Sequence, residues 1–181
     1  MKEYASDKIR NIAVLSHDGA GKTAVVESLL LASGAVTAVG VGKDNKHIMD
    51  FEPEEIKRNV TIQLGIAPCE WDGFKLNFLD TPGYSEFCGE VRAALRACDG
   101  ILLVVSAEAG IEMDTERAWD YGVELQLPRM IYVNKMDTEH ADFFGSLEKM
   151  RAVFGKSIMP LQIPIGEGAD FRGIIDVCKM I

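Results

Sequence analysis

The sequence predicts an α/β domain in three layers, a mostly parallel sheet covered on both faces by helices. Short apolar runs recur at residues 12–15, 101–105 and 130–133, and residues 75–79 read as a further strand. Helical patterns of about ten or more residues separate most of them, which is the rhythm of strand–helix–strand units. Polar motifs follow Leu15, Leu79 and Val133, where such sheets carry their function, at the carboxyl ends of strands.

In chain order, residues 12–15 read as a buried strand that breaks at a Gly-rich turn, residues 16–21. A helix follows, with Val25, Val26, Leu29 and Leu30 on one side. Residues 34–55 are Gly-rich, then acidic, without a period. They read as a long loop, a length that in a compact domain usually accompanies function or disorder. Residues 61–71 and 75–79 are paired strands around the turn Asp72-Gly73. Residues 80–83 make a sharp loop. Residues 85–98 are helical, with Phe87, Val91, Ala94 and Leu95 inward. The unbroken run 101–105 suits a central parallel strand. A helix over 114–125 starts with Asp114 near its cap. A short buried strand over 130–133 and a helix over 141–153 complete the alternation. The tail changes character. Residues 158–165 and 174–181 are strand-like around the turn GEGADFRG. We expect a main domain over residues 1–156 and the beginning of an inserted β-rich subdomain over 157–181, in a piece of a longer protein.

The 181 residues suffice for one sizeable core. Hydrophobic content of 48% and charged content of 26% are those of an ordinary globule. A formal charge of -9 argues against this chain alone gripping a nucleic-acid backbone. The four cysteines, Cys69, Cys88, Cys98 and Cys178, are too scattered for a metal knuckle and read as free thiols of a reducing cytoplasm. The first ten residues lack a secretory h-region, and no apolar run approaches the roughly 18 residues of a membrane span. A cytoplasmic monomer is expected.

The chemistry concentrates at three strand ends. Ser16-His17-Asp18-Gly19-Ala20-Gly21-Lys22-Thr23 departs from the P-loop pattern G-x-x-x-x-G-K-S/T only at Ser16. Glycines let backbone N–H groups curl around an anion, and the helix start adds free donors and a favourable dipole. Residues 17–21 with Ala24 would form the cradle. Lys22 would reach the β- and γ-phosphates, and Thr23 would take one Mg²⁺ position. The plainer alternative is a tight turn with a surface lysine. His17 suits a loop residue bonded to backbone better than a base or ligand.

Asp80 precedes Thr81-Pro82-Gly83. Its carboxylate can hold Mg²⁺ through water, and the Gly83 N–H can meet a γ-phosphate; a Pro-Gly turn that only starts a helix is the alternative. Asn134-Lys135-Met136-Asp137 follows the strand at 130–133. A buried Asp137 can accept both N1–H and the 2-amino group of guanine, a pair adenine does not offer. Asn134 can meet the O6 side or brace the first loop, and the Lys135 stem can cover the base. The same four residues also fit a polar turn. Thr61 can give Mg²⁺ a second hydroxyl when a γ-phosphate is present, or it is an ordinary strand opener.

Together these motifs resemble the N-terminal GTPase domain of elongation factor G and its close relatives, including the tetracycline-resistance ribosomal protection proteins. The resemblance covers nearly the whole chain. The family's first loop, about GHxDAGKT, stands here with Ser16 and Gly19 in place of its Gly and Asp. Its RGIT switch reads Arg58-Asn59-Val60-Thr61, its NKMD is intact at residues 134–137, and the tail resembles the opening of its inserted subdomain. The resemblance implies a P-loop NTPase fold with GTP or GDP and Mg²⁺ as cofactors and the ribosome as partner of the longer protein. It implies the roles argued above for Lys22, Thr23, Thr61, Asp80, Gly83, Asn134 and Asp137. The family's DTPGH reads Asp80-Thr81-Pro82-Gly83-Tyr84 here. The family's histidine is credited with placing the attacking water. Tyr84 carries no cation at pH 7, and together with Gly19 it resembles a divergent branch. The family's further Ser-Ala loop against guanine is expected beyond Ile181.

Overall fold

The computed structural model describes residues 2–39, 49, 52–58 and 60–181. After a 3₁₀ turn at Ser6–Lys8, strand β1 runs over Ile9–Leu15 and leads through the glycine loop into helix α1, Lys22–Ala32. Helix α2 is Pro53–Arg58, opened by a proline whose fixed φ suits a first helical position. Strands β2, Gly65–Trp71, and β3, Phe74–Asp80, are an antiparallel pair. Helix α3, Cys88–Ala97, precedes strand β4, Gly100–Ser106. Helix α4, Met113–Glu124, precedes strand β5, Arg129–Asn134, and helix α5 is Phe143–Phe154.

These strands form one sheet in the order β2-β3-β1-β4-β5. β1 is parallel to both neighbours, with Val14 beside Asp80 and Leu15 beside Leu103. A strand paired on both edges and covered on both faces must be apolar throughout, and Ala13, Val14 and Leu15 are fully buried. Alternation divides them between two cores. Ala13, Leu15, Leu103 and Val105 share one core with Ala94, Leu95, Ala118, Phe143 and Leu147 from α3, α4 and α5. Val14 and Val104 share the other with Val25, Val26 and Leu30 of α1. This is the three-layer α/β sandwich read from the sequence.

Several elements differ from the sequence reading. The apolar run at 130–133 predicts a buried strand, but β5 pairs with β4 alone among the described residues and alternates in burial. Met130 and Tyr132 are 55% and 45% exposed. Half of the long loop over 34–55 falls outside the described residues, and its last residues, from Pro53, are helical. Residues 61–64 are not strand, because their N–H groups bond to carboxylates rather than to a ladder: Ile62 and Gln63 donate to Glu55, and Leu64 to Glu90. The helix over 85–98 opens as a 3₁₀ turn, Ser85–Phe87. Asp114 lies inside the first turn of α4, paired with Arg117 at 3.0 Å, while Glu112 is the capping position.

The tail forms a separate antiparallel hairpin, β6 at Gln162–Ile165 and β7 at Gly173–Asp176. β7 ends well before residue 181, because the chain turns back and Asp176 N–H donates to the Ile181 carbonyl at 2.7 Å. Among the described residues no helix is long and apolar enough to cross a membrane.

Leu103 and Met130 are neighbours by strand but opposite in burial. Leu103→Ala is expected to cost about 2–5 kcal/mol, the range for emptying a packed core site. Met130→Ala is expected to stay within about 0.5 kcal/mol. Urea midpoints at unchanged slope would check both, and equal losses would contradict the edge position of β5.

Candidate functional site

The parallel strands β1, β3, β4 and β5 end on one edge of the sheet, and every site residue read from the sequence lies there or in the loops above it. The loop after β1 places His17 inward and Asp18 and Gly19 outward. Gly21 is left-handed at φ 92, and a Cβ on it would meet the Asn134 Nδ2 at 2.5 Å. Glycine is therefore required twice, by backbone and by contact. Ala20 is buried, and Ala24 is exposed on the first turn of α1.

Lys22 is only 6% exposed, so the surface-lysine alternative falls. Its ammonium donates to the His17 carbonyl at 3.0 Å. Burial lowers its pKa, while the charges of Asp80, Asp18 and Asp114 act to raise it. A buried ammonium held by a carbonyl becomes an anion site once an anion offers more than that carbonyl does.

The Thr23 and Thr61 hydroxyls lie 3.2 Å apart in hydrogen-bond contact. Asp80, the last residue of β3, is fully buried. Two hydroxyls and a carboxylate are hard oxygen donors, and that set fits Mg²⁺. Thr81 fixes the loop after β3 by donating its hydroxyl to the Val14 carbonyl at 2.7 Å. Gly83 then passes so close to the first loop that a Cβ on it would meet Lys22 Nζ at 2.6 Å and the Asp18 backbone at 2.8 Å.

Tyr84 is exposed beside a cavity of about 140 Å³ bordered by Leu15, Thr81, Val91 and Tyr121. A hydrogen bond to the Asp18 carboxylate, reinforced by that group's charge, raises the Tyr84 pKa above its ordinary value. The phenol is therefore neutral at pH 7 and is no base.

Asn134 resolves the choice left open by the sequence. Its amide donates to the Ala20 carbonyl at 2.9 Å and braces the first loop. Lys135 is left-handed at φ 60 and half-buried. Asp137 departs from the buried position that its chemistry predicts. It is exposed, because the loop turns it outward while Met136 goes into the core.

His17 differs from the backbone-bonded loop residue expected. It is buried, and its Nδ1 lies 3.0 Å from the Thr115 hydroxyl of α4. Sequence reasoning also missed Glu55. This fully buried carboxylate accepts the Ile62 and Gln63 N–H groups at 2.8 and 3.0 Å, directly after Thr61. It therefore holds the segment that presents Thr61. A carboxylate in an otherwise acidic stretch gives no signal of burial.

A glycine loop between a buried strand and a helix, with a buried lysine and adjacent threonine, defines a phosphate-binding domain of the P-loop NTPase class. Residues 7–174 match the family model described as the elongation factor Tu GTP binding domain. The chain belongs to that family. It is 39% identical over 174 residues to elongation factor G 1 of Treponema denticola, covering 96% of this chain and 26% of the relative. It is 38% identical over 174 residues to elongation factor G of Thermotoga neapolitana, covering 96% and 25%. A crystal structure of a Thermus thermophilus protein superposes with a TM-score of 0.88 at 40% identity, over 94% of this chain and 26% of that one. The chain thus spans about a quarter of these relatives' length.

Burial lowers the His17 pKa, aided by the Lys22 and Lys135 charges and opposed by Glu112 and Asp18. The unfolded chain then binds the proton first as pH falls. The stability tied to neutral His17 is complete above the unfolded pKa, about 6.5, and is lost below it. His17→Gln is expected to flatten the fall in urea stability between about pH 7.5 and 5.5 relative to the parent. Parallel slopes for the two proteins would contradict this account.

Proposed function

We propose that the chain is the GTP-binding and GTP-hydrolysing domain of an elongation factor G-like, ribosome-associated translation factor of the cytoplasm. The observation that carries this reading is the bond from Asn134 to the Ala20 carbonyl, which joins the base-reading loop to the phosphate loop. Family membership and the similarity to two elongation factors G support it. The division into a domain over 1–156 and the beginning of an inserted subdomain over 157–181 is part of the same proposal, as is a monomeric state.

In this reading Asp137 accepts N1–H and the 2-amino group of guanine, and the Lys135 stem covers the base. The residues of the loop, His17 to Gly21, with Lys22, Thr23 and Ala24, surround the phosphates. Thr23, Thr61 and Asp80 would hold Mg²⁺, which when bound neutralises charge on the β- and γ-oxygens. Lys22 leaves the His17 carbonyl for the γ-phosphate and stabilises charge developing on the phosphate oxygens. The Gly83 N–H orients the same group, and water attacks in line. Tyr84 holds that water by its hydroxyl alone. The chain belongs, in this account, to a divergent branch with tyrosine in place of the switch histidine, and intrinsic turnover is slow.

Tyr84, a neutral phenol where the family's motif has a histidine, favours a second reading, a GTP-binding switch with little hydrolysis. Ribosomal protection against tetracycline is the remaining alternative, separated by a resistance assay on the longer protein.

Asp137→Asn exchanges an acceptor for a donor. GDP affinity is expected to fall on the order of a hundredfold, and xanthosine diphosphate, with its 2-carbonyl, to gain. Calorimetric titration checks this, and equal uptake of ATP and GTP by the parent would remove the guanine assignment. The longer protein is expected to hydrolyse GTP much faster with ribosomes. Tyr84→His should raise that stimulated turnover by at least about tenfold. No ribosome stimulation would sink the enzymatic reading, and no gain from histidine would count against the switch reading.

A further inference from the structure

The hairpin of β6 and β7 belongs to neither face of the main sheet, yet its connecting turn is tied to the loop after β5. The Gly168 N–H donates to the Met136 carbonyl at 2.9 Å. The neighbouring Glu167 carboxylate accepts the Phe143 N–H at 2.8 Å, at the first residue of α5. We propose that Glu167 and Gly168 are positioning residues for guanine selectivity, because they clamp the segment 134–143 that presents Asp137. This rests on reading Asp137 as the base acceptor.

The segment needs such a clamp. Lys135 is held at φ 60, a conformation that is costly for a non-glycine residue and persists only where surroundings enforce it. Its internal ties are short-range: the Thr138 hydroxyl donates to the Lys135 carbonyl at 2.9 Å, and the Ala141 N–H donates to the Thr138 carbonyl at 3.1 Å. Neither reaches the peptide between Met136 and Asp137. The Gly168 bond does, because the Met136 carbonyl belongs to that peptide. Fixing its plane fixes where the Asp137 N and Cα stand, from which its side chain departs.

Gly168 is suited to this contact and little else would be. It is buried, its φ is +57, and a Cβ would lie 3.1 Å from the Thr138 carbonyl. Glu167 anchors the far end of the same segment, and its negative charge stands at the helix start, where it is favoured. The loop is thus held from two sides, by Asn134 toward the phosphate loop and by the hairpin turn behind it. Recognition that requires an aimed, paired acceptor loses selectivity when the aim loosens.

The test compares GDP with inosine diphosphate, which lacks the 2-amino group, on the full chain. The ratio of the two affinities reads how well Asp137 is aimed. Glu167→Ala and Gly168→Ala are expected to weaken GDP about five- to tenfold while inosine diphosphate changes less, so the ratio falls. Glu167→Gln keeps an acceptor oxygen and should restore the parental ratio. Should either alanine variant not fold, Glu167→Asp, which is one methylene too short, gives the same readout. A fall of both nucleotides by the same factor would overturn the clamp and leave a merely structural turn. A parent chain with no preference between GDP and ADP would instead sink the guanine reading itself.

Discussion

One hydrogen bond organises the molecule: the Asn134 amide to the Ala20 carbonyl, 2.9 Å long. It spans 114 residues of sequence and joins the loops after β1 and β5, which β4 keeps apart in the sheet. The bond requires Gly21, since a side chain there would occupy the place of the Asn134 nitrogen. Strand order sets the distance between the loops, the absence of a Cβ permits their approach, and one amide locks it.

Charge is arranged around the same point. The chain carries a formal -9, yet a buried lysine sits at the centre of its functional edge. Burial disfavours the Lys22 ammonium, and the charges of Asp80, Asp18 and Asp114 oppose that cost without cancelling it. Its bond to the His17 carbonyl satisfies one of three ammonium donors. Glu55 answers the converse problem on the other side, where backbone N–H groups without a strand partner need an acceptor.

Much of this was legible in the sequence, because it follows from local periodicity and from motifs at strand ends. The layers, the parallel strands and the residues above their ends came from apolar runs and short polar clusters. What was missed depends on distant pairing. The exposure of β5 follows from its single neighbour, which no pattern in residues 130–133 encodes. Asp137 reads as buried by its chemistry but is exposed by the turn of its loop. His17 reaches a hydroxyl 98 positions away, and Glu167 a helix start 24 positions back. Residues 61–64 look like strand by composition, yet side-chain acceptors in α2 and α3 claim their donors.

The contact of Gly83 with the first loop carries a mechanical corollary. A Cβ on it would run into the Asp18 backbone and the tip of Lys22, so no side chain fits there. A side chain at residue 83 would have to push the loop after β3 off the glycine loop, so the missing Cβ sets how near the two loops can stand.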